Sequence, residues 1–250
     1  MRTHPLGIIC LTKSLEDTFH TAMEFSCLTH PDPRCVVACC IATALIRGIL
    51  RGEVTSEVHI DAIIDRAFGW VKTWAHKRAD RIKAKTTETI QIPSFDRLEF
   101  QKHVIHPQTF QELQLDDAHA MGYVYKALGA AVVCLRRAIS QDAAHIFDRS
   151  SSESRLRLFH QLIQELVMEG GDADTNACIA GALLGAWVGY TALPPQWRDG
   201  LRQKKWLLGK AEALCGVVVG GSSRKGRGHY NYKGSLDPDT RIDGGANIYS

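Results

Sequence analysis

The chain has 250 residues, 45% of them hydrophobic and 23% charged, with a formal net charge of +3. That length and apolar share suffice for a buried core in one domain, or two at most, and argue against wholesale disorder. The small, dispersed charge lacks the basic stripe of a nucleic-acid binder, and no run reaches the ~18 consecutive apolar residues of a membrane span.

Read in chain order, the pattern is helical almost throughout. Met1-Arg2-Thr3-His4-Pro5 has little of a signal peptide, and Leu6 to Leu11 is too short for its apolar core. Ser14, with Asp17 three residues on, opens a helix through Leu15, Phe19, Ala22, Met23 and Cys27. Asp32-Pro33 starts the next, with proline in the first turn, and Asp32 reads as its N-cap. From Cys35 to Leu50 that helix is apolar nearly all round, which predicts a place at the centre of a bundle. Thr55 or Ser56 caps a third helix through Ile60, Ile64 and Phe68 to Val71, with a polar far end.

Residues Lys83 to Gln114 have weak periodicity and read as an irregular insertion with one short helix. Helices are then expected over His119–Ile139, Ser152–Met168 and about Thr175–Tyr190, the last ended by Pro194-Pro195. In that last helix Gly181, Gly185 and Gly189 recur every four residues, so a neighbouring backbone is expected to pack closely against it. A final helix spans about Lys205 to Val217, and the polar stretch after it is expected to be disordered. The basic clusters at Lys77-Arg78 through Lys85 and at Arg224-Lys225-Arg227 read as solvated surface. Eight cysteines without a C-x-x-C pair read as buried free thiols, and the five tryptophans as packing residues.

One stretch carries chemistry: Gly170-Gly171-Asp172-Ala173-Asp174-Thr175-Asn176. It offers two carboxylates and a hydroxyl where a turn enters a helix. These are hard oxygen donors suited to Mg²⁺, Mn²⁺ or Ca²⁺. The structural alternative stands beside it: Asp174 as an N-cap and the glycines as the C-cap of the helix before. An EF-hand is excluded, since Ala177 and Leu183 stand where its glycine and bidentate glutamate belong.

This run, continuing through Ala177 and Ile179 to Ala186, resembles the C-terminal signature of the ADP-ribosylglycohydrolases. Thr29-His30-Pro31-Asp32-Pro33 and Gly122-Tyr123-Val124 resemble two further motifs of that family, in order and spacing. The resemblance implies an all-α orthogonal helical bundle, with residues 1–217 forming a partial domain of this type and 218–250 a disordered tail. It implies two Mg²⁺ ions and hydrolysis of a glycosidic bond to ADP-ribose. Asp172, Asp174 and Thr175 are then metal ligands, and His30, Gly122 and Tyr123 lie near the bound ADP-ribose or ADP-ribosylated substrate.

The chain departs from the family in one respect. The family's other ligands lie in an N-terminal Gly-Asp-x-Thr-Asp-Asp-Thr-type motif, which does not occur here, and Met1-Arg2 matches the middle of its phosphate-binding segment. The expectation is an N-terminally truncated, cytoplasmic, monomeric chain, inactive by itself, without nucleic-acid or membrane partners. The rival expectation is a non-catalytic module binding ADP-ribose or a protein. A third is a helical domain without a ligand, in which removing Asp172 or Asp174 costs only a cap, about 1 kcal/mol.

Overall fold

The computed structural model describes residues 3–85, 95–143 and 152–220. Helix starts follow from local chemistry. Pro5 occupies the first turn of α1 (His4–Ile9), where a missing N–H leaves nothing unpaired. Ser14 Oγ accepts from Asp17 N at 3.0 Å and donates to the Asp17 carboxylate at 2.7 Å, which fixes the start of α2 (Leu15–Cys27). Asp32 caps α3 (Pro33–Leu50) by accepting from Arg34 N at 2.8 Å. The chain continues through α4 (Glu57–Lys83), α5 (Arg97–Phe100), α6 (Val124–Ala143), α7 (Ser152–Met168), α8 (Ala173–Val188), α9 (Pro195–Asp199) and α10 (Lys204–Val219). The architecture is all-α, with no strand among the described residues.

The core sits where the all-round apolar pattern placed it. Thirteen of the eighteen residues of α3 are buried, and α1, α2, α4, α6 and α8 all pack against it. By length and composition α3 is apolar enough to cross a membrane, but 72% of it is buried inside the fold. Its Arg47 is buried too, and its charge is met by Lys13 O at 3.0 and 2.7 Å and by Glu53 at 2.7 Å. α6 brings Tyr125, Leu128 and the run Ala130 to Leu135 into the same core. Arg136 ties α6 to α4 through Glu57, at 3.2 Å, and Asp61.

Several expectations need correction. α6 starts at Val124 rather than His119, because residues 116–123 form turns that end with Gly122 at φ +73°. The segment read as an insertion is packed, where described, against α6. α5 runs into a π-helical turn (Gln101–Ile105), and a Cβ on Gly129 would stand 2.0 Å from His103 O. Residues 86–94 of that segment lie outside the described residues.

α8 ends at Gly189, at φ +84°, and Pro195 instead opens α9. No backbone packs closely on its glycine stripe among the described residues. A Cβ at Gly185 or Gly189 would meet nothing within 4 Å, and one at Gly181 only Ile163 at 4.0 Å. All eight cysteines are free, but Cys178 and Cys215 are exposed rather than buried. α10 extends to Val219, and most of the expected disordered tail, 221–250 with Arg224-Lys225-Arg227, lies outside the described residues.

Candidate functional site

The turn between α7 and α8 is built from two glycines at positive φ, Gly170 at 72° and Gly171 at 66°. L side chains rarely adopt that conformation. Gly171 has a second reason to lack a side chain, since a Cβ there would lie 1.9 Å from Leu115 O. The turn therefore runs flush against the backbone of the 115–117 segment and delivers Asp172 to the start of α8.

Asp172, not Asp174, holds the N-cap position, and its carboxylate makes no capping hydrogen bond (φ −80°, ψ 59°). Asp174 lies in the first turn of α8, with Oδ1 accepting from Thr175 N at 2.8 Å. A hydrogen bond with the Asp172 carboxyl group, and then the Thr175 N–H, hold the Asp174 carboxyl below the usual range. The two acid groups thus meet at the mouth of the helix, with Asp174 exposed and Asp172 and Thr175 half-buried. Such a set can hold a hard divalent cation on one face, leaving other positions to water or a ligand. Among the described residues no group of three or more His, Cys, Asp or Glu is arranged for a metal ion.

The structure brings the Gly-Tyr-Val motif to the same place. A Cβ on Gly122 would lie 3.1 Å from Asp172 Oδ2, so these two segments meet although fifty residues separate them in sequence. Beside Gly122, the Tyr123 hydroxyl donates to Glu99 Oε1 at 2.7 Å. Its ring packs edge-on to His103, with centroids 5.6 Å apart, and the Arg34 guanidinium lies 6.0 Å over it. Burial, then the Glu99 carboxylate, push the Tyr123 phenol up, so it stays protonated.

Arg34 also pairs with Asp32, at 2.8 Å, which joins the start of α3 to Tyr123. His30 sits just before that start, exposed. Its Nδ1 lies 2.8 Å from Thr29 Oγ1, and its carbonyl accepts from Ser26 Oγ at 3.1 Å. The structure therefore joins Gly122, Tyr123, Asp172, Asp174 and Thr175 in one region and leaves His30 exposed before α3, with side-chain hydrogen bonds only to its own loop.

A cleft of about 520 Å³ opens beside Tyr123, walled by Glu99, Lys102, His103, Gly122, Tyr123 and Lys126. Burial, then the nearby Lys102 and Lys126, hold His103 below its ordinary pKa. Lys126 is itself buried, donating to Gln114 O at 2.6 Å and lying 3.7 Å from the Asp117 carboxylate. Sequence reasoning named Gly122 and Tyr123 of this wall and missed Glu99, Lys102, His103 and Lys126. A lysine inside the apolar run of α6 was the available signal for Lys126, but nothing local marks Glu99 or His103. Asp117 accepts from His119 N at 3.0 Å and faces Lys126.

Comparison with known proteins adds three findings. A family model described as ADP-ribosylglycohydrolase matches residues 1–223. A stretch of 41 residues, 16% of the chain, is 51% identical to a protein of Acanthamoeba polyphaga mimivirus that carries an ADP-ribosyl glycohydrolase name, and it covers 12% of that protein's length. No solved structure matches the chain.

Proposed function

Since the chain belongs to the ADP-ribosylglycohydrolase family, we propose that it takes an ADP-ribose unit in the cleft beside Gly122 and Tyr123, with Asp172, Asp174 and Thr175 holding Mg²⁺ at its edge. The observation that supports this reading is the closeness of Gly122 to Asp172, where two segments that resemble separate family motifs lie side by side. A side chain at position 122 would crowd the Asp172 carboxylate, and glycine leaves that oxygen approachable. The donor set fits Mg²⁺ as a partial shell of two carboxylates and a hydroxyl, all hard oxygens. A bound Mg²⁺ supplies charge stabilisation for ribose hydroxyls and water at a glycosidic bond. Tyr123, fixed by Glu99 and kept protonated, positions the wall against which the nucleotide rests.

Three donors from one helix turn suit one Mg²⁺ completed by water, but not the two ions that the family resemblance implies, so little or no hydrolysis is expected of this chain by itself. The incomplete donor set equally favours the second reading, a module that binds ADP-ribose without cleaving it. Calorimetric titration separates these outcomes. ADP-ribose is expected to bind the folded chain, Mg²⁺ to strengthen that binding, and Asp172→Asn to abolish the Mg²⁺ effect. No release of ADP-ribose from an ADP-ribosylated protein is expected. A folded chain with no affinity for ADP-ribose overturns the proposal, and turnover by this chain overturns its inactivity.

A further inference from the structure

Charge is unevenly divided along the chain. Residues 1–197 hold twenty lysines and arginines against twenty-two aspartates and glutamates, a formal charge of −2. Residues 198–220, the end of α9 and all of α10, hold Arg198, Arg202, Lys204, Lys205 and Lys210 against Asp199 and Glu212, a surplus of +3. Two of these cations share one carboxylate, since Asp199 accepts from Arg198 at 3.0 and 2.9 Å and also from Lys204. Most of the surplus therefore stands on α10, a helix with no buried residue.

That helix is apolar as well as basic. Helical spacing puts Lys204, Leu208, Leu214 and Val218 on its half-buried side and Trp206, Lys210 and Val217 on the opposite one. Val217 and Val219 are 76% and 71% exposed, and Trp197 and Leu201 add exposed apolar surface just before the helix. The Lys210 ammonium lies 5.6 Å over the Trp206 ring. A lysine placed so keeps its stem along apolar surface while its charge reaches toward a polar layer. Sixteen residues with three lysines fall short of the ~20 apolar residues that cross a bilayer, but they suit a helix that lies along one.

Charge selects among the occupants of this face. A second copy would bring the same positive surplus to the contact, and a nucleic acid would leave Trp206, Val217 and Val219 without an apolar partner. An anionic lipid surface answers both needs, with acidic headgroups for the lysines and an apolar layer beneath them. We propose that α10 docks this chain on an anionic lipid surface, with Trp206 and Val217 entering the interfacial layer and Lys205 and Lys210 among the headgroups. The −2 of residues 1–197 is repelled by such a surface, which leaves the α10 end as the approach. The lack of a spanning run in the sequence concerns crossing a bilayer, not lying on it. The inference does not rest on ADP-ribose recognition, and its test uses neither nucleotide nor metal.

The test is co-sedimentation of the full chain with vesicles of phosphatidylcholine alone and of phosphatidylcholine with about 30% phosphatidylserine. The chain is expected to sediment with the anionic vesicles, to bind the neutral ones about tenfold more weakly, and to be released as salt rises. Trp206→Asp, and the double variant Lys205→Glu with Lys210→Glu, should each weaken binding to the anionic vesicles by about tenfold. Because no residue of α10 is buried, both variants should keep a denaturation midpoint close to that of the unaltered chain, so lost binding is not lost folding. The proposal is overturned by no binding to the anionic vesicles, by equal binding to the neutral ones, or by full binding in either variant. A dimer in solution that Trp206→Asp dissociates, with no vesicle binding, gives this face to a second copy and overturns it as well.

Discussion

α3 and α10 have much the same apolar character and opposite surroundings. α3 buries thirteen of its eighteen residues under five neighbouring helices. None of the sixteen residues of α10 is buried; it packs chiefly on α1, leaving Trp206 42%, Leu207 47% and Val217 76% exposed. An all-round apolar surface thus states a need for partners without saying whether the chain supplies them.

The comparison breaks most directly at the centre. Leu45 is fully buried in α3, so Leu45→Ala removes packing from every side and leaves a void. A loss of about 2–5 kcal/mol is expected in chemical denaturation. A loss below about 1 kcal/mol would mean that α3 is no more committed to the fold than α10 is. Next in size is Gly171→Ala. Its Cβ would overlap the Leu115 carbonyl at 1.9 Å, on a residue at φ +66°, so neither the chain nor its neighbour has room to give. Crowding and left-handed strain together should cost about 2–3 kcal/mol. The same substitution should displace Asp172, and Mg²⁺ titration would register that separately from stability.

How much of this was legible in the sequence depends on range. Ser14 with Asp17, and Asp32 with Pro33, are signals closed within four residues, and the structure uses both as written. The place of α3 followed from its composition. The glycine pair at 170–171 announced a turn, and its positive φ values agree. What was not legible is set by contacts across the chain. The helix expected from His119 begins at Val124 because Gly122 must turn at positive φ beside an aspartate fifty residues away. Glu99 meets Tyr123 from α5, a four-residue helix whose partner lies 24 residues on and is marked by no local periodicity. The spacing of Gly181, Gly185 and Gly189 promised close packing, yet a stripe of small residues specifies only that approach is possible. Here no backbone takes up the offer among the described residues.

The smallest expected effect tests the other end of the comparison. Leu207 on α10 is 47% exposed, so truncating it to alanine returns little apolar surface to water beyond what water already reaches. Alanine's higher helix propensity offsets part of that loss. Leu207→Ala should therefore change stability by about 0.5 kcal/mol or less, against several for Leu45→Ala, in the same denaturation series. The discriminating variable is protein concentration, because a contact between copies strengthens with concentration and an intramolecular one does not. A small, concentration-independent change agrees with a monomer whose α10 stays open to solvent. A cost above about 2 kcal/mol that grows with concentration would mean that a second copy covers this helix, and α3 and α10 would then differ only in whether the partner belongs to the same chain.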